Sequence, residues 1–220
     1  LFTELPFPQR FAAAHAAGFH GVECLFPYTW PAREMRRWLR DSDLSLVLFN
    51  LLPGDWDAGE RGLAGVPGRE TEFRRSVAQA LEYAALLDCP RLHCMAGIPG
   101  PEVDPRRALE TLVDNLRYAA DRLAEQGRVL PLEPINSRLD MPGYLIDTPT
   151  RALAAIEAVG RPNVRLQYDL YHASVMGEPL FQSLRDCLPV LEHVQFADAP
   201  GRHEPGSGEL PLAALFAHLD

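Results

Sequence analysis

The chain has 220 residues, 47% of them hydrophobic, which is enough to bury the core of a single domain. Its net charge of -9 argues against nucleic acid as the main partner, because binding a phosphate backbone needs a basic surface. All 21 basic residues are arginine, so Schiff-base aldolases, pyridoxal phosphate enzymes, P-loop sites and kinases built on a strand lysine are excluded.

No apolar run approaches the length of a membrane span and no charged-then-apolar leader is present, so no membrane association is expected. Cys24, Cys89, Cys94 and Cys187 form neither a C-x-x-C pair nor a zinc spacing. They read as reduced core residues of a cytoplasmic protein. A G-x-S-x-G elbow and a helix-opening G-x-G-x-x-G are both missing, which leaves hydrolase and dinucleotide readings without support.

In chain order, strand and helix patterns alternate. A short apolar helix over 11–17 is stopped by Gly18 and followed by a strand over 21–26. Pro31 opens a helix through Leu39, and a strand follows over 44–52. Thr71 is the expected N-cap of a helix with Phe73, Val77, Ala80, Leu81 and Ala84 on one face, before a strand over 91–96. Asp104-Pro105 is a cap with proline at the first helical position. That helix carries Leu109, Leu112, Val113, Leu116, Ala120 and Leu123, and Gly127 ends it. A strand over 129–134 comes next. Thr148-Pro149 repeats the cap device for a helix over 150–159, with a strand over 164–170 after it. A helix over 180–187, a strand over 191–197 and a helix over 212–219 complete the chain.

Six or seven near-continuous apolar strands separated by helices predict a parallel α/β fold. A doubly wound sheet usually shows a glycine-rich nucleotide turn, which this chain lacks. The expected architecture is therefore a (β/α)8 TIM barrel forming one domain over 1–220. The barrel is partial: it lacks the first strand and the last β/α unit, since a full barrel needs roughly 250 residues.

Three of the apolar runs end on metal-capable oxygens, at Glu133, Asp169 and Gln195, with Asp198 just beyond. Strand C-terminal ends are where such barrels carry their chemistry. Pro134 removes a ladder donor, so the strand should end there and turn Glu133 into the barrel mouth. Two carboxylates and an amide oxygen form a hard set suited to Mg²⁺ or Mn²⁺. Zinc fits less well, because no histidine pair has ligand spacing.

His172 reads either as a contact to a substrate oxygen or as a rim histidine bonded to backbone. His93, inside Leu92-His93-Cys94-Met95, reads as a satisfied core histidine or, if turned inward, as a substrate contact. Arg202, in the turn-rich stretch 198–209, reads as a clamp for a substrate carboxylate or as part of a solvated loop. The stretch 54–70, with five glycines and Trp56, has the length of a lid or of a surface excursion.

The chain resembles the hydroxypyruvate isomerase family, within the xylose-isomerase-like barrels. The resembling stretches run in order along nearly the whole chain: Leu1-Phe2-Thr3-Glu4-Leu5-Pro6-Phe7, Gly54-Asp55-Trp56-Asp57-Ala58-Gly59-Glu60-Arg61-Gly62, Leu92-His93-Cys94-Met95-Ala96-Gly97, Glu133-Pro134-Ile135-Asn136, Leu166-Gln167-Tyr168-Asp169-Leu170-Tyr171-His172, and residues 195–206. The resemblance implies that Glu133, Asp169 and Gln195 are three of four ligands to a divalent metal, Mg or Mn. It also implies that Glu133 is one of two catalytic glutamates, the other lying beyond Asp220. The implied reaction interconverts hydroxypyruvate and tartronate semialdehyde through a metal-stabilised enediolate, with glutamate moving the proton. A small keto-acid is the expected partner, and neither nucleic acid nor membrane is expected. Homo-oligomerisation is left open. Alternatives are an isomerase or epimerase of another small keto-sugar or sugar acid such as 2-oxo-tetronate, a metal-dependent DNA-repair endonuclease, and a non-catalytic barrel.

Overall fold

The structure is a computed structural model and describes residues 1–219. Among them, six strands run β1 (Gly21–Cys24), β2 (Ser45–Asn50), β3 (Leu92–His93), β4 (Leu130–Leu132), β5 (Val164–Asp169) and β6 (Leu191–Gln195). The helices between and around them are α1 (Phe7–Ala16), α2 (Ala32–Asp41), α3 (Glu70–Leu87), α4 (Pro105–Ala124), α5 (Pro149–Val159), α6 (Leu170–Met176), α7 (Leu180–Cys187) and α8 (Leu212–Phe216). None of these helices is long and apolar enough to cross a membrane.

Every strand pairing is parallel and follows chain order, β1 to β3 and β4 to β6. Single bridges at Arg91–Val129 and Cys94–Leu132 join the two halves. Glu23 on the first strand meets His193 on the last at 2.7 Å, so the strand succession curls back on itself as a β/α barrel.

The alternation of side chains along β5 sets the inside of the barrel. The Tyr168 hydroxyl donates to Ser183 of α7 at 3.0 Å, so Tyr168 faces the helical layer. Gln167 and Asp169 therefore face the interior, since successive strand residues point to opposite faces. Leu130, Leu132, Leu166 and Leu92 are fully buried and fill the layer between strands and helices.

The expected caps at Asp104 and Thr148 are present, accepting from the backbone N–H of Arg106 and Arg151. Thr71 is not a cap. Helix α3 starts two residues earlier, at Glu70, whose own carboxylate accepts the Gly68 N–H at 3.0 Å and ties down the entry without a hydroxyl. Helix α1 likewise starts at Phe7, because Pro8 supplies a preset φ and no donor in the first turn. Leu109 is exposed. The buried face of α4 passes through Ala108, Leu112, Asn115 and Leu116 instead, where Asn115 donates to the Ala64 carbonyl at 2.8 Å. Helix α8 ends at Phe216, short of the expected 219.

The long stretch after β2 is pinned rather than free. Gly62, Leu63, Ala64 and Gly65 are buried, and the Gly65 N–H donates to Ala96 at 2.7 Å. Gly62 and Gly97, both at positive φ, approach so closely that a Cβ on Gly97 would lie 2.5 Å from the Gly62 carbonyl oxygen. Only 54–61 projects outward. There Trp56 packs on Phe26 and lies under the Arg61 guanidinium, while Glu60 pairs with Arg69.

Candidate active site

Glu133 follows β4 directly, as the proline-terminated strand predicts, and is 5% exposed. Asp169 ends β5 and also caps α6, its Oδ1 accepting the N–H groups of Tyr171 (2.7 Å) and His172 (3.3 Å). That cap turns the chain sharply and swings His172 back over the strand ends. Ligand-capable atoms of Glu133, Asp169 and His172 all lie within 4.8 Å of one another, and all three residues are buried.

Burial raises the Glu133 carboxyl well above the ordinary range, and the neighbouring Asp169 charge adds to it. His172 is held below its ordinary value by burial, against the pull of Asp169. His93 is turned inward, with Nε2 3.4 Å from Glu133 Oε2 and no hydrogen-bond partner in range. Burial pushes its pKa down to about 3, so it stands as neutral imidazole against the Glu133 carboxyl.

The rim is built by two loops. After β4, Asn136 is fully buried and binds both His172 Nδ1 (2.7 Å) and Asp140 (2.5 Å). After β6, Asp198 is 1% exposed and accepts the N–H groups of Ala199, Gly206 and Leu210 at 2.7–3.0 Å. This carboxylate gathers the loop that carries Arg202. Gly201 and Arg202 both adopt positive φ (101° and 57°), a costly conformation for arginine that turns its side chain inward. Arg202 Nη1 donates to Asp140 at 3.0 Å, its guanidinium lies 4.9 Å over the Tyr171 ring, and Nη2 is 3.3 Å from His172 Nε2.

Glu133, Asp169, His172, His93 and Arg202 thus come together. Gln195 sits beside them, one amide away. Its oxygen accepts from Gln167 at 2.7 Å and its nitrogen donates to Glu23 at 2.5 Å. Asn136, Asp140, Gln167 and Glu23 were not singled out in the sequence. Glu23 and Gln167 did carry a signal: Glu23 is a polar side chain inside an otherwise apolar strand run, and Gln167 stands two residues before Asp169 on the same strand face.

Two buried carboxylates side by side, one of them forced toward its neutral form, are the electrostatic situation that a bound cation relieves. Their hard oxygens, with Gln195 close by, fit a divalent metal ion.

A family model described as xylose isomerase-like TIM barrel matches residues 11–220. A protein of Cupriavidus necator named 2-oxo-tetronate isomerase is 43% identical, with 100% of this chain and 84% of that protein covered. A protein of Escherichia coli named hydroxypyruvate isomerase is 41% identical, with 100% and 85% covered. A crystal structure titled AP endonuclease, family 2, from Brucella melitensis is 47% identical, covers 100% of this chain and 84% of its own, and superposes with a TM-score of 0.97.

Proposed function

The chain belongs to the xylose isomerase-like TIM barrel family, and on that premise we propose that it is an aldose–ketose type isomerase interconverting hydroxypyruvate and tartronate semialdehyde. The observation that carries this reading is a buried glutamate with a raised pKa facing a second carboxylate, with histidine and arginine donors over them. A proton-transfer group works best with a pKa near the working pH, and burial moves Glu133 in that direction.

The chemistry needs one carbon-bound proton to move and no net oxidation. Glu133 removes a proton from the hydroxyl-bearing carbon and returns it to the adjacent carbonyl carbon, while a second proton passes between the two oxygens. Arg202 receives the substrate carboxylate, as its guanidinium already faces the cleft with Asp140 holding only one edge. His172 and His93 line the same space and contact substrate oxygens. Held by Glu133, Asp169 and Gln195, Mg²⁺ or Mn²⁺ would supply positive charge to the adjacent carbonyl and hydroxyl oxygens.

The first alternative is the four-carbon relative's reaction on 2-oxo-tetronate, which uses the same groups and differs in the space beyond the reacting carbons. Four unpaired cysteines suit a reducing, cytoplasmic setting. The test is turnover of the intact protein on hydroxypyruvate, 2-oxo-tetronate and a DNA duplex with one abasic site, with divalent metal stripped and then restored. Metal-dependent isomerisation with hydroxypyruvate preferred supports the proposal. Preference for the four-carbon acid moves the substrate to the sibling reaction, and nicking of the DNA overturns the isomerase reading.

A further inference from the structure

The orientation of the Asn136 amide can be read without ambiguity. Its Oδ1 accepts two backbone N–H groups, from Leu139 and Asp140, each at 3.0 Å. Its Nδ2 faces the Asp140 carboxylate at 2.5 Å, an acceptor-only group held below the ordinary carboxylate range. Flipping the amide would set oxygen against carboxylate and NH₂ against two N–H donors, so three contacts agree on one orientation.

The fourth contact follows. Nδ2 also lies 2.7 Å from His172 Nδ1, so this ring nitrogen must accept. A neutral imidazole has one acceptor nitrogen, and its other nitrogen carries the proton. Nε2 therefore bears hydrogen. It is Nε2 that faces the reacting groups, 3.8 Å from Asp169 Oδ2 and 3.9 Å from Glu133 Oε1. The 3.3 Å approach of Arg202 Nη2 to the same nitrogen is then a meeting of two donors with no acceptor between them, since guanidinium nitrogen offers only hydrogen.

We infer that Asn136 is a positioning residue that locks His172 in its Nε2–H form, removing the imidazole from the set of metal ligands and making it a hydrogen-bond donor beside Arg202. A metal ligand must offer a lone pair, and the lone pair of His172 is spent on Asn136. The two unsatisfied donors, His172 Nε2–H and Arg202 Nη2–H, are close enough to share one anionic oxygen. Only the identity of that oxygen as substrate depends on the isomerase reading above. The tautomer does not.

The test is long-range proton–nitrogen NMR on the protein labelled with ¹⁵N in its histidine rings, without metal or substrate, the His172 resonances being assigned by their loss in His172→Gln. In the wild type, Nε2 should show the protonated pattern and Nδ1 the bare one. Asn136→Asp keeps an oxygen for the Leu139 and Asp140 N–H groups but places an acceptor at Nδ1, so Nδ1 should gain a proton. A wild type with its proton on Nδ1, or an Asn136→Asp protein with Nδ1 still bare, overturns the inference. The wild-type spectrum decides the tautomer alone if that variant does not fold. Failure of isomerase turnover with the Nε2–H pattern intact would reject the proposed reaction and leave the role of Asn136 standing.

Discussion

Replacing Arg202 by methionine should separate binding from folding. The side chain is 46% exposed and its Asp140 partner 25%, so their ion pair contributes at most about 1 kcal/mol to stability. Stacking over Tyr171 adds roughly 0.5–1 kcal/mol, part of which methionine retains through its own aromatic contact. The substrate contact is worth more, because hydrogen bonds to charged groups contribute about 1.5–3 kcal/mol each. Losing one such bond should lower kcat/KM by about 10- to 100-fold, at about 1.4 kcal/mol per factor of ten. Steady-state assays on hydroxypyruvate and on uncharged analogues such as glyceraldehyde, which keep the adjacent carbonyl and hydroxyl but lack a carboxylate, isolate the effect. Arg202→Met should lose activity on the acid while changing little on the uncharged compound. An equal loss on both, with the fold intact by thermal melting, would refute the clamp.

Asp198→Asn should loosen the 198–209 loop, since an amide nitrogen would oppose one of the three N–H groups that the carboxylate now accepts. The chain has no lysine, so trypsin cuts it only at arginine, and cleavage after Arg202 should accelerate several-fold with the remaining sites unaffected; unchanged cleavage would contradict the loop's dependence on Asp198. Divalent metal binding should release a proton from Glu133, whose raised pKa keeps it protonated where an ordinary carboxyl is not. Affinity should rise by about tenfold per pH unit below that pKa and level off above it, read by calorimetry in buffers of different ionisation heat. Asp169→Asn should recover part of its activity in excess Mn²⁺, whereas Glu133→Gln should recover none. Equal recovery of both would leave Glu133 as a ligand only.

The strands and their ends were legible because buried parallel strands are apolar throughout, so a carboxylate such as Glu133 or Asp169 at the end of a run stands out. The inner face was legible only in part: in β5 Arg165, Gln167 and Asp169 alternate with Val164, Leu166 and Tyr168, which puts Gln167 on the face of Asp169, whereas an apolar run such as Leu46-Val47-Leu48-Phe49 in β2 shows no alternation. Helix α6 was hidden for a related reason: Asp169-Leu170 continues the apolar run of β5, and only the cap hydrogen bonds reveal that a helix begins there. Thr71 misled because a hydroxyl is the commoner cap, and a glutamate two residues after Gly68 did its work instead. Asn136 is invisible to pattern reasoning altogether, since its partners at His172 and Asp140 are set by tertiary geometry.

The central claim is that Glu133 carries the substrate proton, and solvent deuterium exchange tests it most directly. Hydroxypyruvate incubated in D₂O with the intact, metal-loaded protein should acquire deuterium at the carbon next to the carbonyl, followed by proton NMR. Glu133→Gln keeps the shape and one oxygen but cannot accept a proton, so exchange and isomerisation should fall together by about 10²–10⁴-fold. Exchange persisting at the wild-type rate in Glu133→Gln would contradict the account.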